Sequence, residues 1–325
     1  MKTLDDLLDA ARHHPMRIVL CEGDDSRVLQ AARRAAEDGI AHILLLGADP
    51  ARAGGAVQCI DPQTCGWLDA FADTLLSLRR HRGMTPEQAR DAVLDPLTFA
   101  HLMVREGHAD GAVSGAVHTT ANVVRTALQV LGKRPGVHTV SSFFIMMRDA
   151  PFPTHAQAMV FSDCGLVIEP SAEELAEIAL ASAHSARTLL GVEPRVAMLS
   201  FSTQGSAHHA EVDKVRHATE LVRAQAPDLA VEGEMQLDTA IVPEVASRKW
   251  PGASVAGQAN VLIFPNLAAG NIGYKLSERL GGVTALGPLL QGLNKPANDL
   301  SRGCSEDDIY QVIAVTAVQA QHQDA

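Results

Sequence analysis

Short runs of β-branched and apolar residues alternate along this chain with longer, Ala-rich stretches of helical period. That alternation restricts the fold more than any other feature. Arg17-Ile18-Val19-Leu20-Cys21 reads as a strand, Glu22-Gly23-Asp24-Asp25-Ser26 as a turn and cap, and Arg27 to Asp38 as a helix. His42–Gly47 is the next strand, and others are expected at Gly111–Val113, Val140–Ile145, Ala158–Phe161, Val196–Ser200 and Val261–Phe264. Ser171–Leu190 reads as a helix, preceded by Pro170 and opened by a capping box of Ser171 with Glu174. Strands and helices taking turns at these lengths imply an α/β chain with largely parallel sheets covered on both faces.

At roughly 100–200 residues per domain, a chain of 325 residues is expected to form two. Met147–His155, with Pro151 and Pro153, is the segment best suited to a crossover. A C-terminal helix is expected over Glu306–Gln319, with Ile309, Val312, Ile313 and Thr316 on one face that needs a partner surface. The expected division is therefore 1–146 plus 303–325 as a first α/β domain and 147–302 as a second.

Charge removes some functions. The 27 Lys+Arg against 38 Asp+Glu leave a net charge of −11, which repels phosphate backbones and anionic lipid. Neither nucleic acid nor membrane is expected as a partner, and an anionic substrate would have to be held by local arginines. No stretch approaches the ~18 apolar residues of a membrane span. Met1-Lys2-Thr3-Leu4-Asp5-Asp6 has no apolar run, so no secretory signal is expected and a cytoplasmic location is. The five cysteines (Cys21, Cys59, Cys65, Cys164, Cys304) are odd in number and form no Cys-x-x-Cys pair. No disulfide scaffold and no metal site is expected from them, or from His13-His14 and His208-His209. Gly-x-Gly-x-x-Gly after the first strand, the P-loop motif and Gly-x-Ser-x-Gly are all missing, which weighs against dinucleotide, P-loop and α/β-hydrolase chemistry.

Two segments carry chemistry. In Asp110–Thr120 a strand ends at Ser114-Gly115 and a helix begins near Thr119 or Thr120. Small residues let an anion approach the backbone, and a helix N-terminus offers free N–H groups, with Arg125 able to reach back. The same residues also read as a plain strand–helix junction with a threonine cap and a solvated Arg125. In Asn298–Ile309, Ser301-Arg302-Gly303 offers a hydroxyl and a fork of donors just ahead of a helix. Asp308 in its first turn reads either as a base or as the partner of Ser305 in a capping box. Cys304 beside an arginine reads as a reactive thiol or as a small buried residue.

Taken together, the motifs resemble the phosphate acetyltransferase (phosphotransacetylase) family over nearly the whole length. The matching stretches are Gly111–Thr120, Val196–Ser206, Glu232-Gly233-Glu234-Met235-Gln236, Ala240-Ile241-Val242-Pro243, Ala259–Leu276 with Gly270-Asn271-Ile272-Gly273-Tyr274-Lys275, and Gln291–Ile309. The resemblance implies two α/β/α domains with an interdomain cleft, a fold like that of isocitrate and isopropylmalate dehydrogenases, and a homodimer whose second domain serves dimerisation and walls the cleft. It implies reversible acetyl transfer between CoA and phosphate by direct attack of the CoA thiolate in a ternary complex. CoA or acetyl-CoA and phosphate or acetyl phosphate are substrates; no cofactor and no metal is implied.

By the same resemblance Asp308 is the base that deprotonates the thiol, and Ser301 and Arg302 hold the reacting acyl phosphate. Arg125, Arg79 and Arg27 are implied to bind substrate, as are Ser114, Thr119, Thr120, Asn271 and Lys275. Two positions depart from the pattern: Thr126 stands where many relatives have proline, and Asn266 where many have aspartate. The residue types suit the chemistry. A thiol of pKa ~8.5 is mostly protonated at neutral pH, yet its thiolate is the nucleophile. Attack creates an oxyanion that hydroxyl, guanidinium or N–H donors would hold, and the planar fork of arginine matches a phosphate. The alternatives are a butyryl or other acyl-length relative, and, from other classes, an NAD(P)-linked dehydrogenase of the same fold or a non-catalytic acetyl-CoA sensor.

Overall fold

A computed structural model describes residues 4–148, 152–154 and 156–323. The chain divides into two compact units: Asp6–Pro135 together with the chain from Leu293 onward, and Gly136–Gly292. Each unit is built on its own sheet. In chain order the strands are β1 (Met16–Leu20), β2 (Ala41–Leu46), β3 (Gln58–Ile60), β4 (Gly111–Ser114), β5 (Ser141–Met147), β6 (Ala158–Ser162), β7 (Arg195–Leu199), β8 (Ala230–Met235), β9 (Val261–Ile263), β10 (Thr284–Gln291) and β11 (Ala297–Asp299).

The first unit holds a five-stranded sheet in the order β11-β4-β1-β2-β3, parallel throughout. Its central strands are buried on both faces, as parallel strands under helices must be: Ile18, Val19, Ala112 and Leu45 are fully enclosed. The helix Ser26–Glu37 starts where Asp25 accepts a hydrogen bond from the Arg27 N–H, as the turn-and-cap reading of that segment expects. The C-terminal helix Glu306–Gln321 packs on β1, β4 and the helix Ser26–Glu37. It buries more than one face: Ala314, Val315, Ala317 and Val318 are enclosed along with Ile309, Val312, Ile313 and Thr316.

The second unit holds a six-stranded sheet in the order β10-β5-β6-β9-β7-β8. Its β6, β9, β7 and β8 run parallel, while β10–β5 and β5–β6 are antiparallel. The helix opened by Ser171 has both halves of its capping box but changes character at Ala186, where a π-helical turn runs to Leu190.

The division between units falls at Pro135/Gly136 and Gly292/Leu293, about ten residues earlier on each side than the expected 146/147 and 302/303. Strand pairing is the reason. β5 pairs with β6 and β10 and so belongs to the six-stranded sheet, whereas β11 pairs with β4 and carries the returning chain into the five-stranded one. The proline-bearing segment Met147–His155, expected as the crossover, instead joins two neighbouring antiparallel strands of one sheet. Its residues 149–151 and 155 lie outside the described residues.

Candidate active site

In parallel α/β sheets, ligands bind beyond the carboxyl ends of the strands, where neighbouring connections leave in opposite directions. In the first unit that point lies between β1, which is followed by β2 on one side, and β4 on its other side. β1 ends at Leu20 opposite Val113, and β11 ends at Asp299 opposite Ser114. The loops leaving these three strands are Cys21–Asp25, Gly115–Thr119 and Leu300–Ser305.

The first finding concerns the expected anion cradle after β4. The backbone donors from Gly115 to His118 are already taken. Glu22, 7% exposed, accepts the N–H groups of Gly115 (3.0 Å) and Ala116 (2.9 Å) on one carboxylate oxygen. Its other oxygen accepts those of Val117 and His118 (2.9 Å each) and the His118 Nδ1–H at 2.7 Å. Gly115 is required here: its φ is +109°, and a Cβ would lie 2.3 Å from an oxygen of Asp299. Thr119 caps the following helix, Thr120–Val130, by accepting from the Asn122 N–H. The threonine cap is therefore present, and Glu22 serves as an internal anion for the Gly115–His118 stretch.

Arg27 is equally committed. It pairs with Asp25 at 2.8 Å and donates to the carbonyls of Ala116 (3.0 Å), Arg302 (2.9 Å) and Cys304 (2.8 Å). The guanidinium beside Asp25 holds that carboxyl below its ordinary range. Arg27 therefore stitches the loops after β1, β4 and β11 together, where the resemblance implies a substrate-binding arginine.

The turn after β11 is different. Ser301, Arg302 and Gly303 are exposed. Ser301 accepts weakly from the Gly303 N–H at 3.3 Å, and its carbonyl from the Cys304 N–H at 2.9 Å. Asp308 is exposed on the first turn of the last helix and does form the capping box: it accepts from the Ser305 N–H and hydroxyl at 2.8 Å each, while Ser305 accepts the Asp308 N–H. Capping uses one carboxylate oxygen of Asp308. Cys304 is buried, and burial pushes its thiol up despite the opposing pull of Arg27. That favours the small-buried-residue reading over a reactive thiol.

Of the remaining expected site residues, Arg125 is exposed on the helix after Thr119 and touches Asn122 at 3.1 Å. Arg79 ends the helix Leu68–Arg79, half-buried. Ser114 is 1% exposed, its hydroxyl buried near the Cys21 thiol without a well-formed hydrogen bond. Asn271 and Lys275 belong to the other unit, on the helix Leu267–Arg279. There Asn271 donates to the Cys164 carbonyl at 3.1 Å, and Lys275 is exposed near the Tyr274 ring. Asn266, the departure from aspartate, still caps that helix by accepting the Ala269 N–H.

Sequence reasoning missed Glu22, His118 and Asp299. Asp299 is fully buried beside Gly115, with no well-formed hydrogen bond to either oxygen. Burial above all pushes its carboxyl up to about 7, with the Thr120 hydroxyl pulling the other way, Glu22 nearby adding to the rise and the Leu300 N–H opposing it. An acid closing a strand at the edge where loops gather was the available signal. Cys21, Glu22 and His118 place their ligand-type atoms within 4.8 Å of one another, but the carboxylate is saturated with donors and burial drives the Cys21 thiol well up. This donor set does not fit a metal ion as it stands.

The fold is that of an α/β protein of the dehydrogenase-like kind, with Ser301, Arg302 and Asp308 exposed on the chain that follows β11. A 4-hydroxythreonine-4-phosphate dehydrogenase from Klebsiella pneumoniae shares the fold alone, at 12% identity and a TM-score of 0.54 over 95% of this chain and 98% of that one. The family model described as "Phosphate acetyl/butaryl transferase" matches residues 2–317. The phosphate acetyltransferase of Thermoanaerobacterium thermosaccharolyticum is 50% identical over 99% of this chain and all of that one. A phosphotransacetylase structure from Streptococcus pyogenes superposes with a TM-score of 0.91 at 41% identity, covering 98% of this chain and 99% of that one. The chain belongs to the phosphate acetyl/butaryl transferase family.

Proposed function

We propose that this chain is a phosphate acetyltransferase, interconverting acetyl-CoA and phosphate with acetyl phosphate and CoA. The observation that carries the reading is the exposed Ser301-Arg302 turn with Asp308 seven residues on, in a chain 50% identical to a phosphate acetyltransferase along its length. In the direction of acetyl-CoA synthesis, Asp308 takes the CoA thiol proton on the carboxylate oxygen that the capping box leaves free. The thiolate attacks the acetyl carbon of acetyl phosphate, the sulfur–carbon bond forms, and the carbon–oxygen bond to phosphate breaks. Arg302 and Ser301 hold charge on the carbonyl oxygen and the departing phosphate, as preorganised donors do where charge develops. Arg125 and Arg79 supply further contacts to the anionic substrates. CoA enters as a substrate, and the route uses no metal and no resident cofactor.

The family description spans acetyl and butyryl transfer, so acyl length is the second reading. One methylene in an apolar pocket discriminates by only ~1–3 kcal/mol, and the acetyltransferase relatives favour acetyl. A homodimer is part of the proposal: Ile272, Leu276 and Leu280 form an exposed apolar stripe, spaced by four, at the helix Leu267–Arg279. So is a cytoplasmic location; no helix among the described residues is long and apolar enough to cross a membrane.

The test is direct. Protein, CoA and acetyl phosphate are mixed, thioester absorbance is followed, and the assay is repeated with butyryl phosphate and with a chelator. Acetyl-CoA formation that survives the chelator and outpaces butyryl transfer is expected. No thioester from either acyl phosphate would end the proposal.

A further inference from the structure

We propose that Glu22 is a positioning residue for acyl transfer, acting as a built-in anion that fixes the Gly115–Thr119 loop beside the Ser301–Cys304 turn. The inference rests on the phosphate acetyltransferase reading and adds a residue that the reading does not use.

Four successive backbone N–H groups, Gly115 to His118, and the His118 ring converge on one carboxylate. Such a run of inward-pointing N–H groups is a nest of the kind that binds phosphate in other proteins. Here it is filled from within, by a side chain 93 residues away in sequence. The loop is consequently gripped on both sides by one short segment, Glu22 on its N–H groups and Arg27 on the Ala116 carbonyl. Arg27 reaches on to the carbonyls of Arg302 and Cys304, so the same segment sets the turn that bears Ser301 and Arg302. The helix that carries Arg125 starts immediately after the loop, at Thr120. Removing the carboxylate leaves four buried or half-buried N–H groups without an acceptor, a state that unsatisfied donors make unfavourable. The loop then moves, and the groups at its two ends move with it.

The nest also predicts how its loss is repaired. In Glu22→Ala the vacated space faces the same donors, and formate, a free carboxylate without the side chain, matches them. In Glu22→Gln an amide of nearly the same size fills the space, its oxygen accepting on one side while its NH2 faces donors on the other, so formate has nowhere to bind.

Both variants are purified and compared with the wild type for Tm and for kcat and KM of CoA and acetyl phosphate, each with and without formate. Glu22→Gln is expected to fold and to lose at least tenfold in kcat. Glu22→Ala is expected to lose more, and to regain rate and several degrees of Tm as formate rises to saturation. The wild type and Glu22→Gln should not respond. A Glu22→Gln protein with a lowered Tm but wild-type kcat and KM would overturn the proposal, leaving a residue that only stabilises the fold. So would a folded Glu22→Ala that ignores formate in both rate and Tm. If the wild type makes no acetyl-CoA at all, it is the function that has failed. The formate-dependent rise in Tm of Glu22→Ala then still reads the nest, because binding to the folded state stabilises it whatever the activity.

Discussion

Two loops leave the carboxyl edge of the five-stranded sheet and use their polar groups in opposite ways. After β4, every backbone donor from Gly115 to His118 is consumed by Glu22. After β11, Ser301 and Arg302 stand exposed, while Arg27 holds their turn by the Arg302 and Cys304 carbonyls. One loop is a finished piece of structure; the other is held by its backbone while its side chains remain available. A site needs both kinds, because reactive groups work only when something that does not react fixes their position. Loops with a glycine-rich, anion-friendly sequence are thus not equivalent, and what distinguishes them is whether the protein supplies the anion itself.

The largest expected effect tests the available side. Asp308→Asn keeps an oxygen for the Ser305 donors but cannot accept a thiol proton at useful pH. The rate should fall on the order of 10²–10⁴-fold, with Tm changed little because the cap survives. The residual rate should climb toward pH 9 as solvent supplies thiolate. Steady-state assays from pH 6 to 9 read this, and a fully active variant would make Asp308 a cap alone.

The next effect lies beneath both loops. In the folded protein burial keeps the Asp299 carboxyl protonated up to about pH 7, against about 3.9 for an ordinary aspartate. Between those values the folded state binds more protons than the unfolded chain, so stability falls as pH rises from about 4 to about 7 and is level beyond. The full loss is on the order of 4 kcal/mol. Asp299→Asn does not titrate, so its stability relative to the wild type should improve over that interval and then stay constant. Denaturation midpoints at several pH values measure the gap. A gap independent of pH would mean that the carboxylate is paired after all.

The smallest effect concerns the turn itself. Cys304→Ala should stay within a few-fold of wild-type activity, since the thiol is buried and protonated and transfer is direct. Mass spectrometry after incubation with acetyl phosphate should find no acetyl thioester there; finding one would replace direct transfer by a covalent route.

Strands with a continuous apolar run, such as β1 and β2, were legible from the sequence to within a residue at either end. The strands that were not legible have identifiable reasons. β11 is Ala-Asn-Asp, poor in β-formers, and exists because β4 pairs with it and because Asn298 donates to Thr316 at 2.8 Å. β8 contains Glu232 and Glu234, which interrupt the apolar pattern. The first is satisfied inside by Ser254, Val255 and Ala256, the second by Ser202 and Gly205. β10 contains Gly287-Pro288 and shifts register there, which an edge strand tolerates.

The sequence by itself determined what depends on neighbours a few residues apart. That covers the alternation of elements, the caps at Asp25, Ser171 and Ser305, and the ordered motifs that identify the family. Tertiary structure alone decided which polar groups are spent and which are free. Glu22 meets Gly115 across 93 residues, and Arg27 meets Arg302 across 275. Those meetings exist only because parallel pairing brings the ends of β1, β4 and β11 to one edge. Spacing along the chain carries no record of that edge. The same residues therefore read as either an anion site or a capped junction in the sequence, and only the fold shows that Glu22 holds the Gly115–His118 N–H groups.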